Sequence, residues 1–460
     1  METQMNVANA ASSYRIAERL ERLPLSPWHT KIRSIIAFAW FFDAYDALSI
    51  AYVLPAIVPL WHIPPQKIGA LISIGYAGQA LGALLFGYLA QRNGRVPVTI
   101  ATLFMFSLMS LACAFAWDYQ SLFWIRFVQG IGLGGEIPVV NTYLAEFAKA
   151  QRRARFIILF QLAFPIGLLA ASGVGLLVVP TIGWQWMFII GAIPALLAIP
   201  LRFLLPESPR WLASRGRFEE ADQILRRIEN TISRNGTKQL PPIPTDLPST
   251  VSEATRPLDL LRGIYARRTV CVWLLWIATY LVNYGLIGWL PTIWGSVYHL
   301  SVQDALRYGF ISSAVGLAAT VLVAFLLDWT GRKVWFGTAL ILCGLALIPL
   351  SQGASIAPPT VLIWVCVSLF WSNSVAISLG VFTSENYPTH LRALGLGVAG
   401  AWQRVASMVG PLLVGLILPF YGVGAVFVLF AIVAILGGVS CFVLATETKG
   451  QTLEQLSPTK

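Results

Sequence analysis

Long apolar blocks follow one another along most of this chain, broken by short loops rich in Lys and Arg. A helix needs roughly 20 apolar residues to cross a bilayer. Twelve blocks reach that scale, at roughly 34–60, 68–90, 96–117, 121–145, 155–179 and 186–205, then 269–295, 306–328, 334–352, 359–385, 393–419 and 423–445. The pattern predicts an all-α membrane protein with twelve transmembrane helices, spans 1 to 12 in chain order. A polar stretch from Pro206 to Arg268 divides them into six and six. The expected organisation is an amphipathic amino-terminal segment at about 1–33, a six-helix bundle at about 34–205, a central loop with short helices at about 206–268, a second bundle at about 269–445 and a tail at about 446–460.

An even number of spans puts both termini on one side of the membrane, and the basic residues say which. All but four of the 32 Lys and Arg lie in the two ends, the central loop, or the loops after spans 2, 4, 8 and 10, which share one side. Lys67 and Arg307 fall on the other side, and Arg126 and Arg404 fall inside spans. Lys and Arg collect in cytoplasmic loops, so both termini are expected in the cytoplasm. The same rule accounts for the net charge of +11 without a nucleic-acid partner. The only glycosylation triplet, Asn235-Gly236-Thr237, would then face the cytoplasm unused.

Composition agrees with the pattern. Charged residues are 12% of the chain and hydrophobic ones 57%, against about 25% charged in soluble domains. The five cysteines all sit in apolar runs and read as small buried hydrophobes. The four histidines fall near helix ends, and no two share a helix face, so no metal site is expected. The glycine-rich stretches lie in apolar helices and lack the Lys-Ser/Thr ending of a nucleotide loop. With no ATP site and no nucleophile–base pair, neither cofactor nor enzyme chemistry is expected, and transport would run on a gradient.

The halves echo each other. Gly87-Tyr-Leu-Ala-Gln-Arg-Asn-Gly94-Arg95 follows span 2, and Ala324-Phe-Leu-Leu-Asp328-Trp-Thr-Gly331-Arg332-Lys333 follows span 8. These loops resemble the signature of the major facilitator superfamily, with Gln91 where Asp is usual in the first copy. Arg126-Phe-Val-Gln-Gly130-Ile-Gly132-Leu-Gly134-Gly135-Glu136, Pro206-Glu-Ser-Pro-Arg-Trp-Leu212, Glu385-Asn-Tyr-Pro388-Thr-His-Leu-Arg392 and Glu447-Thr-Lys-Gly-Gln-Thr-Leu453 are similar to motifs of its sugar-porter and organic-ion branches. Asp43-Ala-Tyr-Asp46 in span 1 resembles the DxxD pattern of bacterial aromatic-acid/proton symporters. Overall the chain looks like bacterial niacin transporters, relatives of the animal organic-anion and organic-cation carriers. The resemblance implies two pseudo-symmetric six-helix bundles with substrate between them, a bacterial inner-membrane location and a monomer. It also implies a conformational latch at the basic loops built from Arg92, Arg95, Glu146, Arg153, Asp328, Arg332, Glu385 and Arg392.

Charges inside a bilayer are expensive and mark function. Arg404, mid-way along span 11, keeps its charge and binds carboxylates bidentately. At what looks like its position, organic-anion carriers have Arg and cation carriers Asp. Arg404 is therefore expected either to bind a substrate carboxylate or to pair with an internal acid such as Asp46. Asp43 and Asp46 share one face of span 1, and two carboxylates in a cavity suit a proton carrier. Arg126 is expected near the outer end of span 4, pairing with Asp118 or a span 1 acid. Glu136, about 15 Å further along, reads as structural. Trp276, Tyr280 and Tyr284 form a stripe on span 7, facing either the substrate or the lipid. An aromatic acid needs ring faces beside its cation, and Tyr284, Trp371, Asn283, Gln161, Tyr45, Asp46 and Gln403 complete the candidate site with Arg404. The reading is import of a small aromatic carboxylate, nicotinate foremost, coupled to protons by Asp43 and Asp46. Sugar symport, organic-cation or drug export, and a non-transporting nutrient sensor are the alternatives.

Overall fold

In a membrane no water satisfies a bare peptide group, so each spanning segment closes its own hydrogen bonds as a helix. The computed structural model describes residues 15–148, 156, 159–236, 240 and 257–449. Among them nine helices are long and apolar enough to cross a membrane. They are span 1 (Pro27–Trp61), span 2 (Pro65–Asn93), span 3 (Arg95–Ala114), span 5 (Leu159–Val178), span 7 (Gly263–Ser296), span 8 (Val302–Val323), span 9 (Arg332–Ser355), span 10 (Pro358–Glu385) and Leu391–Leu444. The last is spans 11 and 12 run together, broken at Gly422 by a φ of 74° and ψ of 175°. Span 4 (Tyr119–Phe147), with Arg126 and Glu136 buried in it, and a broken span 6 complete the twelve-helix arrangement.

The helix ends follow local chemistry. Proline opens spans 1, 2 and 10, where its missing N–H costs nothing. Asp118 caps span 4 by accepting from Ser121 N at 2.7 Å, and the Ser121 hydroxyl completes a capping box. Two expected continuous helices are interrupted. Span 6 divides into Gln185–Gly191 and Ala195–Leu204 around Pro194, which has no N–H to continue the ladder. Span 10 divides into Pro358–Ala376 and Leu379–Glu385, where Ser378 Oγ bonds back to Ser374 O at 2.8 Å and competes with the backbone. Span 1 also begins earlier than its apolar block, at Pro27.

Glycine sets how closely the spans approach. A Cβ on Gly82 would run into the carbonyl of Ile131, and one on Gly78 would meet Phe127 O, so spans 2 and 4 lie backbone against backbone. Outside the spans, helix Phe218–Gly236 of the central segment holds the helical stretch 15–22. Glu229 accepts from Arg19 at 2.9 and 3.1 Å and from Arg22 at 2.6 Å, Arg19 also reaches Asp222, and Arg210 reaches Glu21 at 2.9 Å.

Gly82→Ala is expected to force spans 2 and 4 apart and cost about 1–3 kcal/mol. Gly87→Ala, whose Cβ meets nothing within 4 Å, serves as the control. Thermal unfolding of the two variants in one detergent compares them, and equal midpoints would show that the contact does not limit stability.

Candidate functional site

Spans 2 and 11 form much of the seam between the halves, and they run antiparallel. At the end away from the basic loops they nearly touch. A Cβ on Gly69 would lie 2.7 Å from Pro411 O, and one on Gly415 would lie 2.7 Å from Pro65 O. Ser73 Oγ donates to Met408 O at 2.6 Å. Spans 1 and 8 close the same end through Tyr52 Oη and Ser313 Oγ at 3.0 Å. Towards the basic end the span 11 surface is free: nothing lies within 4 Å of a Cβ built on Gly397 or Gly400. These glycines share a helix face with Arg404. The halves are thus closed at one end, with Arg404 where the closed stretch gives way.

Arg404 crosses the seam. Its Nε donates to Gln79 O and its Nη2 to Gly134 O, both at 3.3 Å, so a carboxy-half cation rests on two amino-half backbone carbonyls. Those bonds are long, and no described carboxylate lies within 4 Å of its nitrogens. Asp43 and Tyr284 are within its electrostatic range. The alternative pairing of Arg404 with Asp46 does not occur. Asp46 is fully buried in the amino half, where its Oδ1 accepts from Ser110 Oγ at 2.8 Å. Arg126 donates to the Asp46 backbone carbonyl at 3.2 Å and to Gln129 Oε1 at 2.8 Å. The sequence leads one to expect an acid partner for Arg126, but it meets span 1 only through the Asp46 backbone carbonyl and forms no ion pair with a described carboxylate. Asp118 is exposed and caps span 4, whereas Arg126 is buried at 3% exposure.

The span 7 stripe faces inward, which corrects the lipid-facing alternative. Trp276, Tyr280 and Tyr284 stack at 5.3 and 5.9 Å, with interplanar angles of 19° and 21°. Tyr284 then meets Tyr76 of span 2 edge-on at 5.1 Å, joining the halves. Asn283 Nδ2 donates to Ser372 Oγ at 3.3 Å. Trp371 has a different setting: it packs on Trp335 and Phe370 and lines an apolar groove with Ile311, Val315 and Ile363. Tyr45 is buried inside the amino half with its hydroxyl on Met187 Sδ at 3.6 Å. Gln161 is half-buried between Phe160 and Phe164, which clasp Trp40 one turn before Asp43. Gln403, half-buried beside Arg404, lends its backbone carbonyl to Ser407 Oγ at 2.8 Å. Sequence reasoning missed Tyr76 and Gln79. Their signal was a Tyr and a Gln three apart amid small residues in Gly75-Tyr76-Ala77-Gly78-Gln79.

At the basic end the sequence repeat becomes a spatial one. Gly94 and Gly331 take φ of 107° and 92°, a region that favours glycine. The following Arg95 and Arg332 open spans 3 and 9. Arg95 Nη2 reaches Glu146 at 2.9 Å, and Arg332 Nη2 reaches Glu385 at 3.1 Å. A second glutamate caps each helix start. Glu207 accepts from the N–H of Arg95 and Val96 at 3.0 and 3.2 Å, and Glu447 from those of Arg332 and Lys333 at 3.0 Å. Each cluster ties elements within one half. Arg92 is exposed, and Arg392 is half-buried with Nε and Nη2 unpartnered. Where Asp is usual, Gln91 accepts on its backbone carbonyl from Trp211 Nε1 at 2.8 Å and Arg215 at 2.6 Å. Arg153 and the Asp328 side chain lie outside the described residues.

Sequence comparison assigns the chain to a known group. Residues 35–459 match the profile described as sugar (and other) transporter. The chain belongs to this family of the major facilitator superfamily. It is 32% identical over 444 residues to the niacin transporter NiaP of Acinetobacter baylyi, covering 96% of this chain and 99% of that one. It is 27% identical over 402 residues to the 4-hydroxybenzoate transporter PcaK of Pseudomonas aeruginosa, covering 85% and 88%. The inward-open xylose transporter XylE of E. coli superposes with a TM-score of 0.73 at 21% identity, over 93% of this chain and 99% of that one. The family member described here is therefore a membrane transporter of the twelve-helix fold.

The two capping glutamates differ. Burial raises the Glu207 carboxyl above its ordinary range. Burial also opposes charge on Glu447, but the N–H groups of Lys449, Arg332, Lys333 and Thr448 outweigh it and hold that carboxyl below the range. The stability Glu447 contributes is thus complete above the unfolded value and lost as pH falls through the lower folded one. Glu447→Gln should cost about 1–2 kcal/mol at neutral pH, more than Glu207→Gln, with a penalty that shrinks in acid below the ordinary carboxylate range. Thermal melts of both variants across pH check this; equal penalties at neutral pH would refute the asymmetry.

Proposed function

We propose that this transporter imports a small aromatic carboxylate, with nicotinate as the best candidate, by alternating access coupled to protons. The observation that carries the reading is Arg404: a cation on the seam, held only by backbone carbonyls, with the Tyr284–Tyr76 pair nearby. An incoming carboxylate offers what the carbonyls do not, two charge-assisted hydrogen bonds on a planar fork. Tyrosine faces suit a flat ring. The names of NiaP and PcaK point to the same substrate class. The positive charge of Arg404 disfavours an organic cation, and a neutral sugar would leave it without a counter-charge.

In this reading Asp43 and Asp46 carry the coupled proton. The clusters around Arg95 and Arg332 set the rocking halves as rigid bodies, and the basic end faces the cytoplasm of a bacterial inner membrane. The protein acts as a monomer. The closed end would then be the periplasmic one.

A thermal-shift panel on purified protein tests the substrate class, using nicotinate, nicotinamide, benzoate, 4-hydroxybenzoate, xylose and tetraethylammonium. Stabilisation by the aromatic carboxylates is expected, with nicotinate strongest, and Arg404→Ala should weaken nicotinate binding by roughly 100-fold. Equal stabilisation by nicotinamide would mean that the ring alone is read and Arg404 is structural. A response confined to xylose or tetraethylammonium would overturn the reading.

A further inference from the structure

Glu136 is a charge-bearing group to which the proposed cycle gives no task. It is fully buried in span 4, and neither carboxylate oxygen has a hydrogen-bond partner. A buried carboxyl without partners is costly as an anion, and the usual structural reason for one, a salt bridge or a cap, is missing here. Its position is fixed by what surrounds it. Two residues away, the Gly134 carbonyl accepts from Arg404 across the seam, and Gly135 packs on Phe86 of span 2.

The groups facing it come from each packed element. Span 1 supplies Asp43, which is within electrostatic range of both Glu136 and Arg404. Span 2 meets this stretch of span 4 through the Gln79 backbone and the Phe86 ring, and brings no titratable group against it. Span 3 passes span 4 at Phe106 and Gly132, next to Ser107, whose buried Oγ is also unpartnered. On its own helix the nearest cation is Arg126, about 15 Å away. Arg404 lies within electrostatic range of Asp43, and Arg126 within that of Asp46, while Glu136 has Asp43 as its charged neighbour. A substrate carboxylate arriving on Arg404 would leave Asp43 without its counter-charge, and a proton must enter to restore balance in this low-dielectric region.

We propose that Glu136 is a second proton-carrying carboxyl of the transport cycle, paired with Asp43 across the contact of spans 1 and 4. The proton passes between the two carboxyls by way of water admitted to the site, one O–H bond breaking at each step as the next forms, as substrate enters and leaves Arg404. It comes from water on the side of entry and returns to water on the side of release. This rests on the reading of Arg404 as a substrate-anion site.

Two measurements test it. Infrared pH-difference spectra of protein in lipid nanodiscs report carboxyl protonation without any substrate. The wild type should show a protonated-carboxyl band that Glu136→Gln lacks, and identical spectra in that region would overturn the proposal. In proteoliposomes carrying labelled nicotinate, the ratio of pH-gradient-driven accumulation to counterflow should fall roughly tenfold or more in Glu136→Gln. A wild-type ratio and pH profile in that variant would also overturn it. A wild type that moves no nicotinate would instead refute the substrate reading, with the infrared result still deciding Glu136.

Discussion

The whole molecule depends on keeping a few charges in a slab where water cannot solvate them. Isolated ions there would be neutralised or expelled, so each one present has a specific setting. Arg126 is sealed against Gln129 and the Asp46 backbone. Arg404 sits on the seam with only carbonyl oxygens under it. The first arrangement is fully enclosed within the amino half, with Arg126 at 3% exposure. The second is incomplete, and it lies on the surface that the two halves share.

Glycine makes that arrangement reachable. Gly134 allows Gln79 and its neighbours to come close enough for both carbonyls to meet one guanidinium. Gly69 and Gly415 bring spans 2 and 11 together beyond it, while Gly397 and Gly400 keep the other side unfilled. The same helix pair therefore supplies the closed end and the open end, with the cation at the boundary.

Much of this was legible in the amino-acid order. Block length gave the spans, and the Gly-Arg loops revealed the duplication that Arg95–Glu146 and Arg332–Glu385 make physical. Arg404 stood out because a permanent cation mid-span has few explanations. Contacts between distant elements were harder. Tyr76 is an ordinary aromatic until the fold brings it against Tyr284, and Trp371, polar in its sequence neighbours, packs on other aromatics instead. The breaks in spans 6 and 10 were hidden because apolar content is indifferent to a missing N–H or a competing hydroxyl. Glu207 and Glu447 stand at matching places after spans 6 and 12, yet their capping role depends on helix starts more than 100 residues away in the chain.

The anchor of Arg404 is main chain, and that has an evolutionary side. Replacing the Gln79 side chain leaves its carbonyl in place, whereas any side chain at Gly134 would run into that carbonyl, so one partner tolerates substitution and the other does not. Co-variation between positions would be blind to this contact, because nothing needs to change in step with it. The surrounding aromatics carry no such protection. Under the proposed function, new substrates would be acquired by exchanging rings around an unchanging charge, and one scaffold would drift among related acids without first losing its grip on the carboxylate.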